Sequence, residues 1–489
     1  MAYDDTTPAK EVVLTETLAP PPLQAKDSDP ELQKEPQKLI QETHSAEKEK
    51  KNHSGGIPLA LAFKEESNFS SDLPELEKKV LEELKQLLQS AITNREFSPS
   101  ESVLSAVTAF AEAKPEESPV SADDDGAKTV KAIAETVVSA TIPPPAEEEK
   151  IPLIWGIPLL GDERSNTILL KFLRARDFKA KEAMTMIKNT LTWRRDFGIE
   201  ALLEEDLGLS EIEKVVFMSG VDREGHPVCY NAYGQFQNKE LYAKAFADEK
   251  QKGFLRWRIQ YLEKGIRQLL NFRPGGISTM IQVTDLKNSP GPLKRDFPHA
   301  LGLLLDNYPE FVAKQLFLHV PWWYLAVNKM ISPFLTQRTK SKFVFAGPSK
   351  SAEVLFRYVA PEQVPLQFGG LYRENNPDFT ISDAVTEINI KPSTKEILEV
   401  PLAEPCLLIW ELRVLGWDVS YGAEFVPNSK ESYTIIVHKA RKMAASDELV
   451  VKNSFRVGEP GKILFTVENS SNKRKMLLYR YNVKTTEFS

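Results

Sequence analysis

Three spacings of hydrophobic residues divide this chain. Between Asn166 and Phe197 apolar positions recur every three or four residues, at Leu169, Leu170, Leu173, Ala183, Ile187, Leu191 and Trp193, which predicts helices packed on a shared core. Short runs suited to strands follow at Pro227 to Tyr233, Thr279 to Leu286, Gln315 to Val320 and Lys342 to Ala346. Helix-like stretches such as Phe254 to Leu270 and Ala300 to Leu305 stand between them. Strands separated by helices of that length predict crossover connections and a mainly parallel sheet, hence an α/β domain. After Gly370 the period falls to two: Cys406, Leu408, Trp410 and Leu412 alternate with Leu407, Ile409, Glu411 and Arg413. Further strand candidates lie at Tyr433 to His438, Lys462 to Glu468 and Met476 to Tyr481. Strands without intervening helices predict a small antiparallel sandwich.

The first 145 residues read differently. They contain none of the seven Trp, and residues 1–150 hold 14 of the 33 Pro and 30 Asp or Glu against 16 Lys or Arg. So polar a composition buries too little apolar surface to offset chain entropy, which predicts a disordered acidic arm over 1–145. One helix is expected within it, over 72–90, from the spacing of Leu73, Leu76, Val80, Leu84, Leu87 and Leu88, with Asp72 placed to cap it and Pro74 in its first turn. Spacing leaves open whether that helix is transient or docks.

Charge alters the picture of the body. The whole chain carries −7 and its first 150 residues −14, which leaves the remainder at +7. The basic excess is concentrated: from Phe311 to Ala352 there is no Asp or Glu, while Lys314, Lys329, Arg338, Lys340, Lys342 and Lys350 surround the apolar run that begins at Val320. Hydrocarbon and an anionic group need different surroundings, and this segment offers both. Two further basic clusters lie near the end, Lys439, Arg441 and Lys442, and Lys473, Arg474 and Lys475; each reads either as a solvated face or as a dock for an anionic membrane.

Two cysteines are too few for a disulfide framework, the first residues lack the pattern of a secretory signal, and no apolar run approaches the roughly 18 to 20 residues that span a bilayer. A protein of a reducing compartment is expected. Glycine-rich nucleotide loops, zinc-helix motifs and nucleophile elbows are all missing, and the six histidines lack metal-ligand spacing. His319, in an apolar strand, reads as a satisfied core histidine. These absences favour binding over turnover, with no catalytic residue, metal, cofactor or nucleic acid expected.

In the acid-free segment, Trp322, Leu325, Ala326, Lys329, Met330 and Phe334 are spaced as a helix with a broad apolar face, ended by Pro333. Packing on the sheet would explain that face. The bases and hydroxyls of Arg338-Thr-Lys-Ser-Lys342 directly afterwards are of more use to phosphate oxygens than to a structural loop.

Several motifs carry a resemblance. Leu169-Leu-Lys-Phe-Leu-Arg-Ala-Arg-Asp-Phe178, Asp306-Asn-Tyr-Pro-Glu310, Ser332-Pro-Phe-Leu335 and Val364-Pro-Leu-Gln-Phe-Gly-Gly370 resemble a CRAL-TRIO lipid-exchange domain with its helical extension. Cys406-Leu-Leu-Ile-Trp-Glu-Leu412 and Leu477-Leu-Tyr-Arg-Tyr481 resemble a GOLD domain. An acidic arm, CRAL-TRIO and GOLD in that order is similar to the plant patellins. The resemblance implies an all-α N-terminal region at 150–205, an α/β lipid-binding domain at 206–380 and an all-β sandwich at 385–485.

It also implies a lipid cavity closed by an apolar gate, here Trp323, Leu325, Ala326, Met330 and Phe334. Arg176, Thr339 and Lys342 would hold an inositol phosphate, although Asp177 stands where some relatives have a base. The expected ligand is a phospholipid, phosphatidylinositol or a phosphoinositide. Expected partners are phosphoinositide-containing membranes, and trafficking proteins through the GOLD domain or the arm. The expected place is the cytoplasm with peripheral attachment to cell plate, plasma or endosomal membranes, in trafficking and cell division. The rival reading is a GOLD-based adaptor with a vestigial lipid pocket.

Overall fold

The computed structural model describes residues 66–97, 151–246, 251–289, 296–321, 324, 337–444 and 450–485. Helix α1 (Glu75–Thr93) falls within the stretch read as an arm, yet Leu81, Leu84, Leu88, Ala91 and Ile92 are all buried. They belong to the same core as Ala183, Met184 and Ile187. The helical region therefore recruits residues well before 150, because this leucine stripe is buried in the same core as the apolar face of the later helices. Asp72 does not cap α1. Its carboxylate accepts from the hydroxyls of Ser67 (2.6 Å) and Ser71 (3.0 Å), and the helix begins after Pro74 without a side-chain cap. Leu88→Ala is expected to lower stability by about 2–3 kcal/mol, seen as an earlier urea midpoint, because the vacated space lies inside a packed core.

A short hairpin, β1 (Leu153–Ile154) and β2 (Ile157–Pro158), turns at Trp155, whose ring meets Phe311 edge-on with centroids 4.5 Å apart. Helices α2 (Ser165–Ala175), α3 (Ala180–Phe197) and α4 (Ile199–Glu204) complete the helical layer with α1. The α/β module follows as β3 (Val216–Val221), β4 (Pro227–Ala232), α5 (Lys239–Phe246), α6 (Gln251–Leu269), β5 (Met280–Asp285), α7 (Asp296–Asn307), β6 (Val312–Leu318), α8 (Gln337–Ser341), β7 (Phe343–Phe345) and α9 (Ser351–Phe356). Its five strands run in spatial order β3-β4-β5-β6-β7; β3 is antiparallel to β4 and the other pairs are parallel.

Strands β8 (Thr386–Ile390), β9 (Thr394–Leu402), β10 (Cys406–Val414), β11 (Val419–Pro427), β12 (Ile435–Met443), β13 (Val451–Val457), β14 (Gly461–Asn469) and β15 (Lys475–Thr485) form the sandwich. Its antiparallel sheets have the orders β13-β10-β15-β8 and β12-β11-β14-β9. Leu408, Trp410 and Leu412 enter the core between them.

The alternate positions on β10 do not face water. Glu411 and Arg413 are buried against the segment that leaves the α/β module. Arg413 Nη1 donates to the carbonyls of Leu366 and Gly370, both at 2.8 Å, and Arg480 Nη2 donates to the carbonyl of Leu371 at 3.3 Å. Gly370 is required here, since a Cβ would fall 2.0 Å from the Val364 carbonyl oxygen. Two arginines thus bolt sandwich to module, and Leu478 joins Phe368 and Leu371 in one apolar cluster.

Candidate functional site

Parallel pairing sorts the sheet residues into two unlike faces. One carries Val228, Tyr230, Ile281, Val283, Leu316 and Leu318, which belong to the cluster that reaches the sandwich. The register aligns Cys229, Gln282, Gln315 and Phe343 in one row across the other face, and Asn231, Thr284, Phe317 and Phe345 in the next. The β4 and β5 half of this face is polar and buried: Asn231, Gln282 and Thr284 are each under a tenth exposed. Asn231 Nδ2 donates to Gln282 Oε1 at 3.0 Å and Gln315 Nε2 to Thr284 Oγ1 at 3.0 Å, while Asn231 Oδ1 has no hydrogen-bond partner. The β6 and β7 half is aromatic. Phe317 stacks on Phe345 with centroids 5.0 Å apart, and Tyr324 packs 5.4 Å from Phe317. Sheets covered on both faces are normally apolar on both; one face of this sheet is amphipathic.

A chain of charges lies at the amino ends of β6 and β7. Lys342 Nζ reaches Glu310 Oε2 at 2.6 Å, Arg338 Nε reaches the same oxygen at 3.1 Å, and Lys171 Nζ donates to the Glu310 carbonyl at 2.8 Å. Arg338 Nη2 continues to Glu66 Oε2 at 2.5 Å, and that oxygen also meets Arg174 Nε at 2.9 Å. Burial opposes ionisation of Glu310, but Lys342 and Arg338 outweigh it and hold its carboxyl below the ordinary 4.5. Its ion pairs therefore contribute in full at neutral pH, and that contribution is lost as acid takes the pH down through the depressed value. Burial and the neighbouring Lys342 lower the Lys314 ammonium.

Lys342 is buried in this chain of charges, and Thr339 lies on α8 beside Arg338, its carbonyl accepting from the Lys342 backbone N–H at 3.2 Å. Arg176 stands apart from these ion pairs. It follows the last turn of α2, its Nη1 donating to the Ala175 carbonyl at 3.2 Å, and it lines an open cleft of about 470 Å³ with Glu182, Asn189 and Asp306. Arg174, two residues earlier, points into the body instead, because positions two apart lie on opposite sides of a helix. Trp323, Leu325, Ala326, Met330 and Phe334 lie outside the described residues. His319 Nδ1 lies 2.7 Å from Asp285 Oδ1 just past β6.

The two basic clusters of the sandwich converge. Lys442 pairs with Asp418 at 3.1 Å, and the charge of Lys475 also bears on that carboxylate. Arg474 reaches Glu353 of α9 at 3.5 Å. Lys439, Arg441 and Lys473 are exposed, the first two on the edge strand β12. At the start of that strand Tyr433, Ile435 and Ile436 are exposed, Tyr433 by 90%. Among the described residues no group of acidic, His and Cys side chains is arranged to hold a metal, and no helix is long and apolar enough to cross a membrane.

Glu310 closes the Asp306-to-Glu310 motif, whose spacing gives it no role, and Glu66 falls in the stretch that composition reads as an arm. For Glu310 a signal existed: it immediately precedes the acid-free window, as its counter-charge. For Glu66 there was none, since its partners lie 108 and 272 positions away along the chain.

A parallel-sheet module with a helical extension, followed by an eight-stranded sandwich, defines the CRAL-TRIO plus GOLD class. Matches to known families agree with it. The CRAL/TRIO N-terminal domain model covers residues 80–189, the CRAL/TRIO domain model 212–370, and the Patellin-1-like C-terminal GOLD domain model 391–475. The first of these begins inside α1, as the packing does. Patellin-5 of Arabidopsis thaliana is 52% identical over 88% of this chain, which spans 57% of that relative's length. Patellin-3 of the same plant is 51% identical, with 88% and 79% covered. The phosphatidylinositol transfer protein SFH5 of Meyerozyma guilliermondii is 33% identical over 47% of this chain and 72% of its own. The crystal structure of Sfh5 aligns at 23% identity with a TM-score of 0.39, over 53% of this chain and 91% of that one. The chain belongs to the patellin family.

Proposed function

We propose that this protein binds a phospholipid, phosphatidylinositol or a phosphoinositide, in its α/β module, and attaches peripherally to membranes as a carrier or sensor in trafficking. The observation that carries this reading is the amphipathic sheet face, with its buried Asn231, Gln282 and Thr284 beside the Phe317 and Phe345 stack. A self-contained core has no need of that polar half, because unmatched buried polar atoms are costly; an amphiphile uses both halves. Acyl chains leaving a bilayer need a comparably apolar lining, at about 0.8 kcal/mol per methylene. The chain of bases through Lys342 and Arg338 supplies the countercharge for a phosphate. A relative named as a phosphatidylinositol transfer protein supports the same ligand class. Thr339 and Lys342 are the headgroup contacts in this reading, with Arg176 approaching from its cleft and the 323–334 segment as the gate.

The edge strand β12, apolar at Ile435 and Ile436, preceded by the exposed Tyr433 and basic at Lys439 and Arg441, suits contact with an anionic leaflet. Delivery to the cell plate, plasma or endosomal membranes and a role in cell division accompany this reading. The module binds rather than transforms its lipid.

Mass spectrometry of lipid that copurifies with the full chain tests the reading. A stoichiometric inositol phospholipid is expected; an empty protein would instead favour a GOLD-based adaptor. Lys342→Ala is expected to reduce binding to phosphoinositide vesicles about tenfold or more, the loss that follows removal of one charged hydrogen bond. Thr339→Asp acts in the same direction by adding a negative charge. Vesicle binding and lipid loading unchanged in both variants would exclude these two residues as the headgroup contacts.

A further inference from the structure

The row of charges at the amino ends of β6 and β7 is closed at its outer end by a residue from far upstream. Lys171, Arg174, Arg338 and Lys342 supply four cations, and Glu310 sits among them as a fixed, largely buried counter-charge. Glu66 differs from Glu310 in being 43% exposed, while both arginines it holds are more buried, Arg338 at 22% and Arg174 at 7%. Its chain neighbours are fastened independently of it. Arg174 Nη2 donates to the Ser67 carbonyl and Nη1 to Asn68 Oδ1, both at 2.6 Å, and Asn68 Nδ2 donates to Ser278 Oγ at 3.3 Å. Glu77 of α1 also lies within electrostatic range of Glu66, Arg174 and Arg338. The Glu66 carboxylate is therefore a short, solvent-reaching arm on an anchored base, held at high local concentration over two guanidinium groups.

We propose that Glu66 is an internal stand-in for phosphate: its carboxylate occupies an anion subsite made by Arg338 and Arg174, and a phosphate group of an incoming headgroup displaces it. The two ligands ask for the same thing, since the guanidinium N–H groups of Arg338 and Arg174, which here meet a single Glu66 oxygen, donate to carboxylate or phosphate oxygens alike, and a phosphomonoester carries more charge than the carboxylate it replaces. Arg338 thereby becomes a headgroup residue beside Lys342, sharing Glu310 with it, and the protein discriminates against neutral headgroups, which cannot repay the loss of the Glu66 contact. This inference rests on the lipid-binding reading above and adds a competitor to it.

The test uses the full chain and four proteins: wild type, E66Q, R338Q and the double variant. Each is titrated with phosphatidylcholine vesicles with and without a phosphoinositide, and separately with a soluble inositol polyphosphate. E66Q is expected to bind phosphoinositide vesicles about fivefold more tightly, the scale of a partly exposed ion pair that no longer competes. R338Q should bind more weakly than wild type and cancel the E66Q gain in the double variant. E66D, which withdraws the carboxylate by one methylene but keeps its charge, should fall between wild type and E66Q and guards against a folding effect in E66Q.

A gain with vesicles alone assigns the phosphate to a lipid surface, and a gain in both arms assigns a site open to either source. E66Q and E66D binding as wild type does, or an E66Q gain that survives R338Q, would overturn the stand-in. If Lys342→Ala still weakened vesicle binding about tenfold or more in that case, the lipid reading would stand without it. No phosphoinositide-dependent binding by wild type or any variant would overturn both.

Discussion

Glu411→Ala is expected to destabilise the protein by about 3–5 kcal/mol, among the largest effects available to a single side chain. Its carboxylate is wholly buried and accepts from Arg480 Nη2 at 3.0 Å, Arg480 Nε at 3.2 Å and Asn376 Nδ2 at 3.0 Å, with Arg373 approaching the same group. Removing it strands a buried guanidinium in a low-dielectric setting, which costs more than the ion pair itself is worth. Arg480 also donates to the carbonyls of Thr380 and Leu371, so the damage should spread along the segment joining module to sandwich. Denaturant unfolding followed by tryptophan fluorescence checks this. A loss below about 1 kcal/mol would mean that Arg480 finds water or another acceptor, and the bolt would be dispensable.

A second variant of similar size tests the helical layer. Glu263→Ala is expected to cost about 3–5 kcal/mol, because Arg194 pairs with that carboxylate through both terminal nitrogens, at 2.6 and 2.9 Å, and Tyr308 Oη donates to it at 2.8 Å. Glu263 is 0% exposed and Arg194 6%. Removing both charges differs from removing one: a Glu263→Leu, Arg194→Met double variant should recover part of the loss, since Arg194 no longer leaves an orphan charge, while Arg267, 3.5 Å from Glu263, keeps Glu200 and Tyr308 loses its acceptor. Calorimetric melting of the two variants separates these cases. Equal losses in single and double variants would show that packing around the pair, not its charge, is what matters.

How much of this was legible depended on whether the signal was local. The parallel strands β4, β5 and β6 each gave a compact run of strand-forming residues, and β10 gave a strand-long stretch in which every second residue is apolar, so fold class and module order could be read directly. Strand β3 escaped because it is an antiparallel edge whose residues are mostly half exposed. In β9, Lys395, Glu396 and Glu399 dilute the inward residues Leu398, Val400 and Leu402. In β13, Lys452, Asn453, Ser454 and Arg456 leave only Val451, Phe455 and Val457 to mark a strand. Helix α1 was recognised by its leucines, but a leucine stripe does not reveal its own partner.

At the site, Lys342 and Arg338 stood out as bases without nearby acids. Their counter-charges came from outside the window, Glu310 by one residue and Glu66 by more than two hundred. The motif at 306–310 illustrates the same limit: Tyr308 serves the buried Glu263 pair and Glu310 the basic row, so two unrelated tasks are fused in five residues, and spacing alone does not separate them.

The placement of α1 has a consequence for the order of events on the ribosome. About a hundred residues separate the end of this helix from the end of α3, the helix it packs against, and at about 5–20 residues per second that stretch takes on the order of 5–20 s to synthesise. For a delay of that length, counted from the emergence of α1, the nascent chain carries an uncovered stripe of leucines beyond the exit tunnel. Holding chaperones would find their substrate there, well before the module that buries it exists.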